Sequence, residues 1–199
     1  MNKKKANKIE ILKILKQKEI VSGKVIAQQL GISRTAVWKH IKSLIRKGYL
    51  IKISKKGYRL VESNNSLCEE EFSELPIKVY CFEKVTSTMD IARKLLQKTE
   101  KKEEVLILAE TQTYGRGRLG RTWISPPGGI WMSLIINPDL DLKSSFILTY
   151  VASLATALSI EENTGIKVSL KWPNDILYQE KKLGGILLEI QAEPDKLKN

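Results

Sequence analysis

Three arginines alternate with glycines in one short stretch of the sequence, TYGRGRLGRTW, which ends at Trp123. Arg116, Arg118 and Arg121 therefore lie in a segment with little side-chain bulk between the charges. Guanidinium groups and exposed backbone amides can converge on anionic oxygens in such a segment. The stretch predicts a flexible loop that binds phosphate or carboxylate, the alternative being a merely solvated basic loop.

The glycines of this stretch also satisfy the spacing G-x-G-x-x-G after a predicted strand. A dinucleotide-binding turn must continue into a helix, however, and Ser125-Pro126-Pro127-Gly128-Gly129 follows here. Proline and glycine in this order do not continue a helix. The match to the dinucleotide fingerprint is therefore accidental.

Two further motifs carry groups that suit phosphate chemistry. The run KWPND places Asn174 and Asp175 at a predicted strand end, where Asp175 is a candidate magnesium ligand. The run KKLGG places Lys182 before Gly185, and glycines let a ligand approach the backbone. Each motif has a plain alternative, a β-turn for the first and a surface hairpin with solvated lysines for the second.

Alternating helices and strands position these motifs. The periodicity predicts strands at Val79–Phe82, Val105–Ala109, Ile130–Ile136 and Val168–Lys171, helices at Thr88–Lys98 and Ser144–Asn163, and a hairpin from Ile176–Tyr178 and Leu183–Ile190. This is an α+β pattern built on a mixed sheet. A polar linker at Glu62–Asn65 precedes it, and a capping box at Ser66–Glu69 predicts a small acidic helix.

The first third of the chain predicts a winged helix-turn-helix. Apolar periodicity gives helices at about 6–17, from Val25 to Gly31, and after Ser33, which is a plausible N-cap. The stretch from Leu50 to Leu60 predicts a β-hairpin tipped by lysines. The last two of the three helices form the helix-turn-helix. In such a motif the helix that follows the turn, here the one after Ser33, lies in the major groove of DNA, and the wing suits phosphate contact. The candidate DNA-binding residues are Ser33, Arg34, Thr35, Trp38, Lys39, Lys55 and Lys56.

Charge separates this third from the rest. Residues 1–66 contain 17 basic and three acidic residues, a net charge of +14, whereas residues 67–199 contain 17 basic and 19 acidic residues, a net charge of −2. The step predicts a DNA-binding domain at 1–62 and a second domain at 63–199. A solvated basic face and a three-helix structural domain are the alternatives.

Composition excludes several classes of protein. The 199 residues are 42% hydrophobic, with two cysteines and one histidine. A disulfide framework, a zinc site and a Ser-His-Asp triad are therefore poorly supplied. Neither a secretory signal nor a membrane-spanning stretch is present, which predicts a cytoplasmic protein.

The motifs GRGRLGRTW, KWPND and KKLGGILLE, together with Thr86-Ser87-Thr88-Met89 and the winged helix, resemble the bifunctional biotin–protein ligase and biotin operon repressor family. The resemblance extends from about Ile9 to Glu193. It implies a class II synthetase-like ligase domain that activates biotin with ATP and Mg²⁺ to biotinyl-5′-AMP and transfers biotin to a carrier-protein lysine. The related lipoate ligases share the fold but not the arginine–glycine loop.

The resemblance also implies residue roles. The catalytic residues would be Lys182, Arg118 and Arg121. The ATP site would comprise Arg118, Arg121, Trp123, Asn174, Asp175 and Lys182, with Asp175 beside magnesium. The biotin site would comprise Ser87, Thr88, Met89, Gln112, Gly115, Arg116, Gly117, Arg118, Lys182, Gly185 and Leu187. Met89 stands where the family usually has Asn or Gln, so only a backbone contact would survive there.

The implied partners are a biotin carboxyl carrier domain of a biotin-dependent carboxylase, operator DNA and a second copy of the chain, which ligand binding would bring together. The family normally continues with a glycine-rich strand, more sheet and a small β-domain. The resemblance therefore predicts that these 199 residues are a C-terminally truncated member. A non-enzymatic regulator that senses biotin is the alternative function.

Overall fold

The computed structural model describes residues 3–62, 69–98 and 103–191, with the side chains of residues 3–5 excepted. Two compact units are present: Met1–Gly115 with Ile124–Asn137, and Arg116–Trp123 with Pro138–Asn199. Residues 63–68, which carry most of the predicted linker and capping box, lie outside the described residues. Residues 69–74 form turns instead of the predicted small helix, and two of their glutamates pair with lysines of the winged helix.

Three helices open the first unit: α1 (Lys3–Gln17), α2 (Gly23–Leu30) and α3 (Arg34–Arg46). The predicted cap at Ser33 is confirmed, and Ser22 caps α2 in the same way. The Oγ of Ser22 accepts a hydrogen bond from the amide of Val25, and the Oγ of Ser33 accepts one from the amide of Ala36. Gly31 ends α2 in the left-handed conformation that glycine favours.

The wing consists of β1 (Leu50–Ser54) and β2 (Gly57–Glu62), which pair antiparallel. Tyr58 also exchanges two backbone hydrogen bonds of 2.9 Å with Val21, which ties the wing to the segment before α2. Gly57 is required there, because its φ is +137° and a Cβ would collide with the Val21 carbonyl. One apolar cluster joins the three helices and the wing, with Ile11, Ile26, Val37, Ile41 and Leu44 fully buried.

A mixed sheet follows the winged helix and consists of β3 (Lys78–Val85), β4 (Val105–Arg116), β5 (Thr122–Ser125) and β6 (Trp131–Ile135). Strand β4 pairs parallel with β3 and antiparallel with β6. Helix α4 (Thr88–Lys98) connects β3 to β4, and its Ala92 packs with Ile107 and Ile135. The predicted mixed sheet is confirmed.

The arginine–glycine stretch differs from the predicted flexible loop. Strand β4 continues to Arg116, a single 3-10 turn follows at Arg118–Gly120, and β5 begins at Thr122. The turn is closed by a 2.8 Å hydrogen bond from the amide of Gly117 to the carbonyl of Arg121. Gly120 has a φ of +70°, so glycine supplies the conformation that closes the turn.

The second unit contains α5 (Ile147–Thr164) and an antiparallel sheet of β7 (Ser169–Lys171), β8 (Asp175–Tyr178) and β9 (Lys181–Gly185). Strand β9 begins earlier and ends earlier than the predicted segment Leu183–Ile190. The tight turn at Gln179–Glu180, both with positive φ, starts the return strand at once. The partner strand β8 begins at Asp175, opposite Gly185, so pairing ends there.

No helix in the described ranges is long and apolar enough to cross a membrane.

Candidate functional site

The first unit brings four predicted biotin residues together through the parallel pairing of β3 and β4. The register places Val85 opposite Gln112, so the segment after β3 passes beside the Gln112 side chain. The Oε1 of Gln112 accepts hydrogen bonds from the backbone amide of Thr88, at 2.8 Å, and from its Oγ1, at 3.1 Å. Ser87 caps α4 by accepting a 3.2 Å hydrogen bond from the amide of Met89. The start of α4 is thereby fixed to the sheet.

Two serines that the sequence motifs did not single out complete this polar cluster. The Oγ of Ser133 donates to the Oγ1 of Thr88 at 2.8 Å, and the Nε2 of Gln112 donates to the Oγ of Ser125 at 2.9 Å. Ser87, Thr88, Ser125 and Ser133 are all buried. Buried hydroxyl and amide groups of this kind can recognise a neutral polar ligand when its own groups replace their mutual hydrogen bonds. The signal for Ser133 was present in the sequence as a lone serine on the inward face of an apolar strand.

The second unit brings the other motifs together around Lys182. Its Nζ lies 2.6 Å from the Oδ1 of Asp175 and 5.1 Å from the centre of the Trp123 ring. The side chains of Lys182 and Asp175 are partly exposed, at 42% and 26%. A cation held against a carboxylate and an aromatic face, and still open to solvent, can move onto an incoming anion.

Arg118 and Asn174 extend the same site. The Nη1 of Arg118 donates to the Oδ1 of Asn174 at 3.1 Å, and Asn174 exchanges two 2.9 Å hydrogen bonds with the backbone of Ile186. The KWPND turn is therefore held both to the arginine–glycine turn and to the chain after β9. A Cβ at Gly185 would lie 3.3 Å from the Cε of Lys182, so a side chain there would require the end of this lysine to shift slightly.

A cleft of about 150 Å³ adjoins Asn174 and Asp175. Its wall includes Tyr150 of α5, whose hydroxyl oxygen accepts a 2.9 Å hydrogen bond from the Nε1 of Trp172. The remaining lining residues are Ser153, Leu170, Lys171 and Pro173.

For the other predicted ligand residues, the structure gives a backbone contact or a degree of burial. Arg121 enters the arginine–glycine turn through its backbone carbonyl, and its side chain is exposed. Gly115 is buried in β4, Arg116 is half-buried beside it, and Leu187 is half-buried after β9.

The donor set at Asp175 limits what metal site is possible. Among the residues that the structure describes, no three histidine, cysteine or acidic side chains cluster as metal ligands. One carboxylate with a neighbouring amide oxygen fits Mg²⁺ only when substrate phosphates supply most of the ligands, which is the usual arrangement for that ion.

The predicted DNA-binding residues form a separate surface on the winged helix. Arg34, Thr35, Trp38 and Lys39 are exposed on α3, and Lys55 and Lys56 are exposed at the tip of the wing. The Nζ of Lys42 lies 5.6 Å from the centre of the Trp38 ring. The hydroxyl of Ser33 accepts a hydrogen bond from the amide of Ala36, so in this structure it caps α3.

Comparison with known proteins identifies the family. The sequence profile of the biotin/lipoate A/B protein ligase family matches residues 81–196, more than half of the chain. The chain belongs to this family. A helix-turn-helix (HTH) domain profile matches residues 7–59, which confirms the predicted helix-turn-helix. The resemblance that the motifs indicated is therefore confirmed.

Relatives carry both parts. The chain is 42% identical to the bifunctional ligase/repressor BirA of Bacillus subtilis over 188 residues, 91% of this chain and 58% of that protein. It is 32% identical to the corresponding protein of Escherichia coli, over 93% of this chain and 58% of that one. The chain thus spans 58% of the length of these relatives. A solved biotin protein ligase from Leishmania major, in complex with biotinyl-5-AMP, aligns with a TM-score of 0.53 and 33% identity, over 59% of this chain and 54% of that one.

Proposed function

We propose that this chain acts in biotin–protein ligation and in biotin-responsive repression. In the first half-reaction, a carboxylate oxygen of biotin attacks the α-phosphorus of ATP, and pyrophosphate leaves to give biotinyl-5′-AMP. In the second, the amine of a lysine on a biotin carboxyl carrier domain attacks the acyl carbon, and AMP leaves as the amine loses a proton. The reaction consumes ATP, which fits the cytoplasmic location that the sequence predicts.

The observation that carries this proposal is the position of Lys182. Its Nζ contacts Asp175 of the KWPND motif and faces Trp123 of the arginine–glycine motif, so three separate motifs converge on one cation. Two anions must approach each other in the first half-reaction, and fixed cations offset that repulsion most strongly in the transition state. We propose that Lys182 and Arg118 do this together with Arg121, which lies nearby in the chain. Trp123 supplies a flat face for adenine.

The buried polar cluster of the first unit supports a biotin site. Hydroxyl and amide groups of Ser87, Thr88 and Gln112 suit a neutral ring that both donates and accepts hydrogen bonds. The backbone amide of Met89 is engaged by Ser87, so we propose that this residue orders the segment and leaves recognition to its neighbours. Gly115, Arg116, Gly117, Gly185 and Leu187 are the remaining proposed wall residues.

Magnesium enters the proposal through Asp175 and Asn174, which would hold it together with the triphosphate. The ion would neutralise phosphate charge when bound. Lys182 is paired with the Asp175 carboxylate, so Asp175 would hold the ion only after this pair opens, and Lys182 would then be available to the phosphates.

The winged helix supports the repressor function. One winged helix covers a single half-site, so specific binding needs two copies spaced on a palindrome. We propose that biotinyl-5′-AMP promotes a homodimer and thereby couples biotin supply to operator binding, each ligand strengthening the other.

The ligase proposal is tested by Lys182→Ala, with Lys181→Ala as the matched control, since Lys181 is the exposed neighbour in the same strand. We expect pyrophosphate release with biotin and ATP to slow by ~10²-fold or more in the first variant, the scale for losing one charge-stabilising donor, and to change little in the second. The assay uses the 199-residue chain and the same chain continued with the C-terminal part of the Bacillus subtilis relative.

Two outcomes would contradict this proposal. An unchanged rate in Lys182→Ala removes the lysine from the mechanism. Biotin binding by the parent chain without any pyrophosphate release favours the non-enzymatic regulator.

The repressor proposal is tested by titrating operator DNA at fixed salt, with and without biotin and ATP. We expect both ligands together to raise operator affinity and to steepen its dependence on protein concentration. Arg34→Ala, at the start of α3, should abolish specific binding without slowing pyrophosphate release, whereas Arg46→Ala, at the other end of α3, should retain specificity. Superimposable curves with and without ligand would refute biotin-responsive repression.

A further inference from the structure

A buried carboxylate fastens the chain to the winged helix just before the central sheet begins. The side chain of Glu70 is only 2% exposed, and the Nζ of Lys47 donates to its two oxygens at 2.7 and 2.8 Å. The Nζ of Lys8 lies 3.2 Å from the same carboxylate. Beside it, the Nζ of Lys16 donates to Glu71 at 2.7 Å. We refer to these five side chains as the acidic clamp.

The clamp joins three parts of the chain. Lys8 and Lys16 belong to α1, and Lys47 is the C-cap residue that follows α3, the helix proposed to read DNA. Glu70 and Glu71 lie after the wing, whose last strand ends at Glu62. The segment at 69–71 is thus held against α1 and against the C-terminal end of α3, the helix that carries the proposed recognition surface.

The electrostatics keep the central carboxylate of the acidic clamp charged. Burial on its own would raise the pKa of the Glu70 carboxyl, but the hydrogen bond and charge of Lys47, aided by Lys8, hold that pKa below its usual value. The carboxylate is therefore charged at neutral pH. A buried ion pair adds little stability compared with apolar packing, and its best-attested use is to specify one arrangement over others.

We propose that the acidic clamp fixes the direction in which the chain leaves the DNA-binding unit, and thereby sets the spacing between the two half-sites that a dimer can bind. The inference rests on the proposed repressor function, because it concerns two winged helices held by one dimer. Glu70 is a positioning residue in this scheme and does not itself touch DNA. Without the clamp, the segment at 69–71 would no longer be fixed against α1 and α3, and a less constrained connection tolerates more spacings.

The test measures binding of the 199-residue chain, with biotin and ATP, to a set of operators whose half-sites differ only in separation. The variants are Glu70→Gln and the milder Glu71→Gln. Glu74→Gln is the matched control, because Glu74 is exposed, lies four residues further on and loses the same charge. Affinity for a single half-site and hydrogen exchange of the amides at 69–71 are measured in parallel.

We expect the parent and Glu74→Gln to prefer one spacing by about tenfold, a size typical of coupling between sites. Glu70→Gln should reduce that preference to about threefold or less and speed amide exchange at 69–71, with single half-site affinity unchanged. Glu71→Gln should shift both readouts in the same direction, which keeps the test decisive if Glu70→Gln does not fold.

Three results would overturn the inference. One is an unchanged spacing preference in variants whose amides at 69–71 exchange faster, which would make the clamp purely structural. Another is a rise in single half-site affinity with a steeper salt dependence, which would mean that the glutamates only neutralise lysines otherwise available to phosphate. The third is the absence of half-site specificity in the parent chain, which refutes the repressor function as well; the first two leave that function standing.

Discussion

The winged helix and the second compact unit differ in how far they bury their apolar side chains. In the winged helix, Ile26, Val37 and Ile41 are fully buried in one cluster that all three helices and the wing share. In the second unit, α5 buries Ala157 but leaves Phe146, Val151 and Leu154 more than half exposed. The first region is a closed hydrophobic core, and the second presents much of its apolar surface.

The two regions also differ in the groups that they carry: the winged helix contains the features that stabilise a fold, and the second unit contains charged groups that could bind substrate. The winged helix carries caps, a core and the acidic clamp, all of which favour one conformation. The second unit carries Lys182, Asp175 and Arg118 in partly exposed positions, where they can exchange protein partners for substrate. Functional groups commonly lie in regions of lower local stability, because binding requires them to move.

The comparison is tested most strongly by two truncations of large aliphatic side chains. Ile41→Ala, in the closed core, should lower the free energy of unfolding of the winged helix by about 2–5 kcal/mol, from lost burial and the cavity left behind. Leu154→Ala, on the exposed face of α5, should change stability by less than about 0.5 kcal/mol. Hydrogen exchange of the amides of α3 and α5 measures the two effects separately.

Equal losses in the two variants would contradict the comparison. That result would mean that Leu154 is covered in solution, and that the exposed face of α5 is an interface.

Local signals explain how much of each region the sequence could predict. The end of α2 and the start of α3 followed from Gly31 and Ser33, because a cap acts on its own neighbours in the chain. The ligand motifs were found because each is contiguous. The contacts of Lys182 with Trp123, and of Gln112 with Ser125, depend on tertiary pairing that no local pattern encodes.

The errors have the same origin. The arginine–glycine stretch is rich in glycine and so predicted a flexible loop, but pairing within the sheet extends β4 to Arg116 and leaves only a short turn. The capping box at Ser66–Glu69 predicted a small acidic helix, but Lys8 and Lys47, distant in sequence, bind Glu70 in a turn. In both cases tertiary contacts overrode local propensity.

Acid is expected to weaken the winged helix through Glu70. Because the pKa of this carboxyl is lower in the folded chain than its ordinary value of 4.5, its ion pairs stabilise the fold above that pH. The stabilisation is lost as the pH falls through the lowered folded pKa, when Lys8 and Lys47 face a neutral acid. Urea unfolding of the parent chain at a series of pH values from 6 to 3, followed by hydrogen exchange of α3, measures this loss.

Glu70→Gln isolates the contribution, since it is less stable at neutral pH but lacks this titration. The two curves should converge as the pH falls. Curves that stay parallel from neutral to acid pH would show that Glu70 is not paired in solution.

The smallest expected effect concerns the start of the recognition helix. Ser33→Ala removes the hydrogen bond from the Ala36 amide to the Ser33 Oγ, which should lower the stability of the winged helix by about 1 kcal/mol. Ser33→Thr keeps a capping hydroxyl and should restore most of it. Helix α5 provides the contrast, because Phe146 precedes its first residue, Ile147, and gives no side-chain cap, so this helix has no equivalent contribution to lose. Calorimetry of the three chains should place the melting temperature of Ser33→Ala about 4–8 °C below the other two, the usual size for a domain of this length.

Operator affinity provides a second measurement. Because a cap acts only on the first turn, the affinity of Ser33→Ala should fall only in proportion to the fraction of the chain that is unfolded. A larger fall in affinity would mean that the Ser33 hydroxyl leaves its cap to contact DNA. The start of α3 would then differ from the rest of the winged helix, because its polar group would exchange an internal partner for DNA.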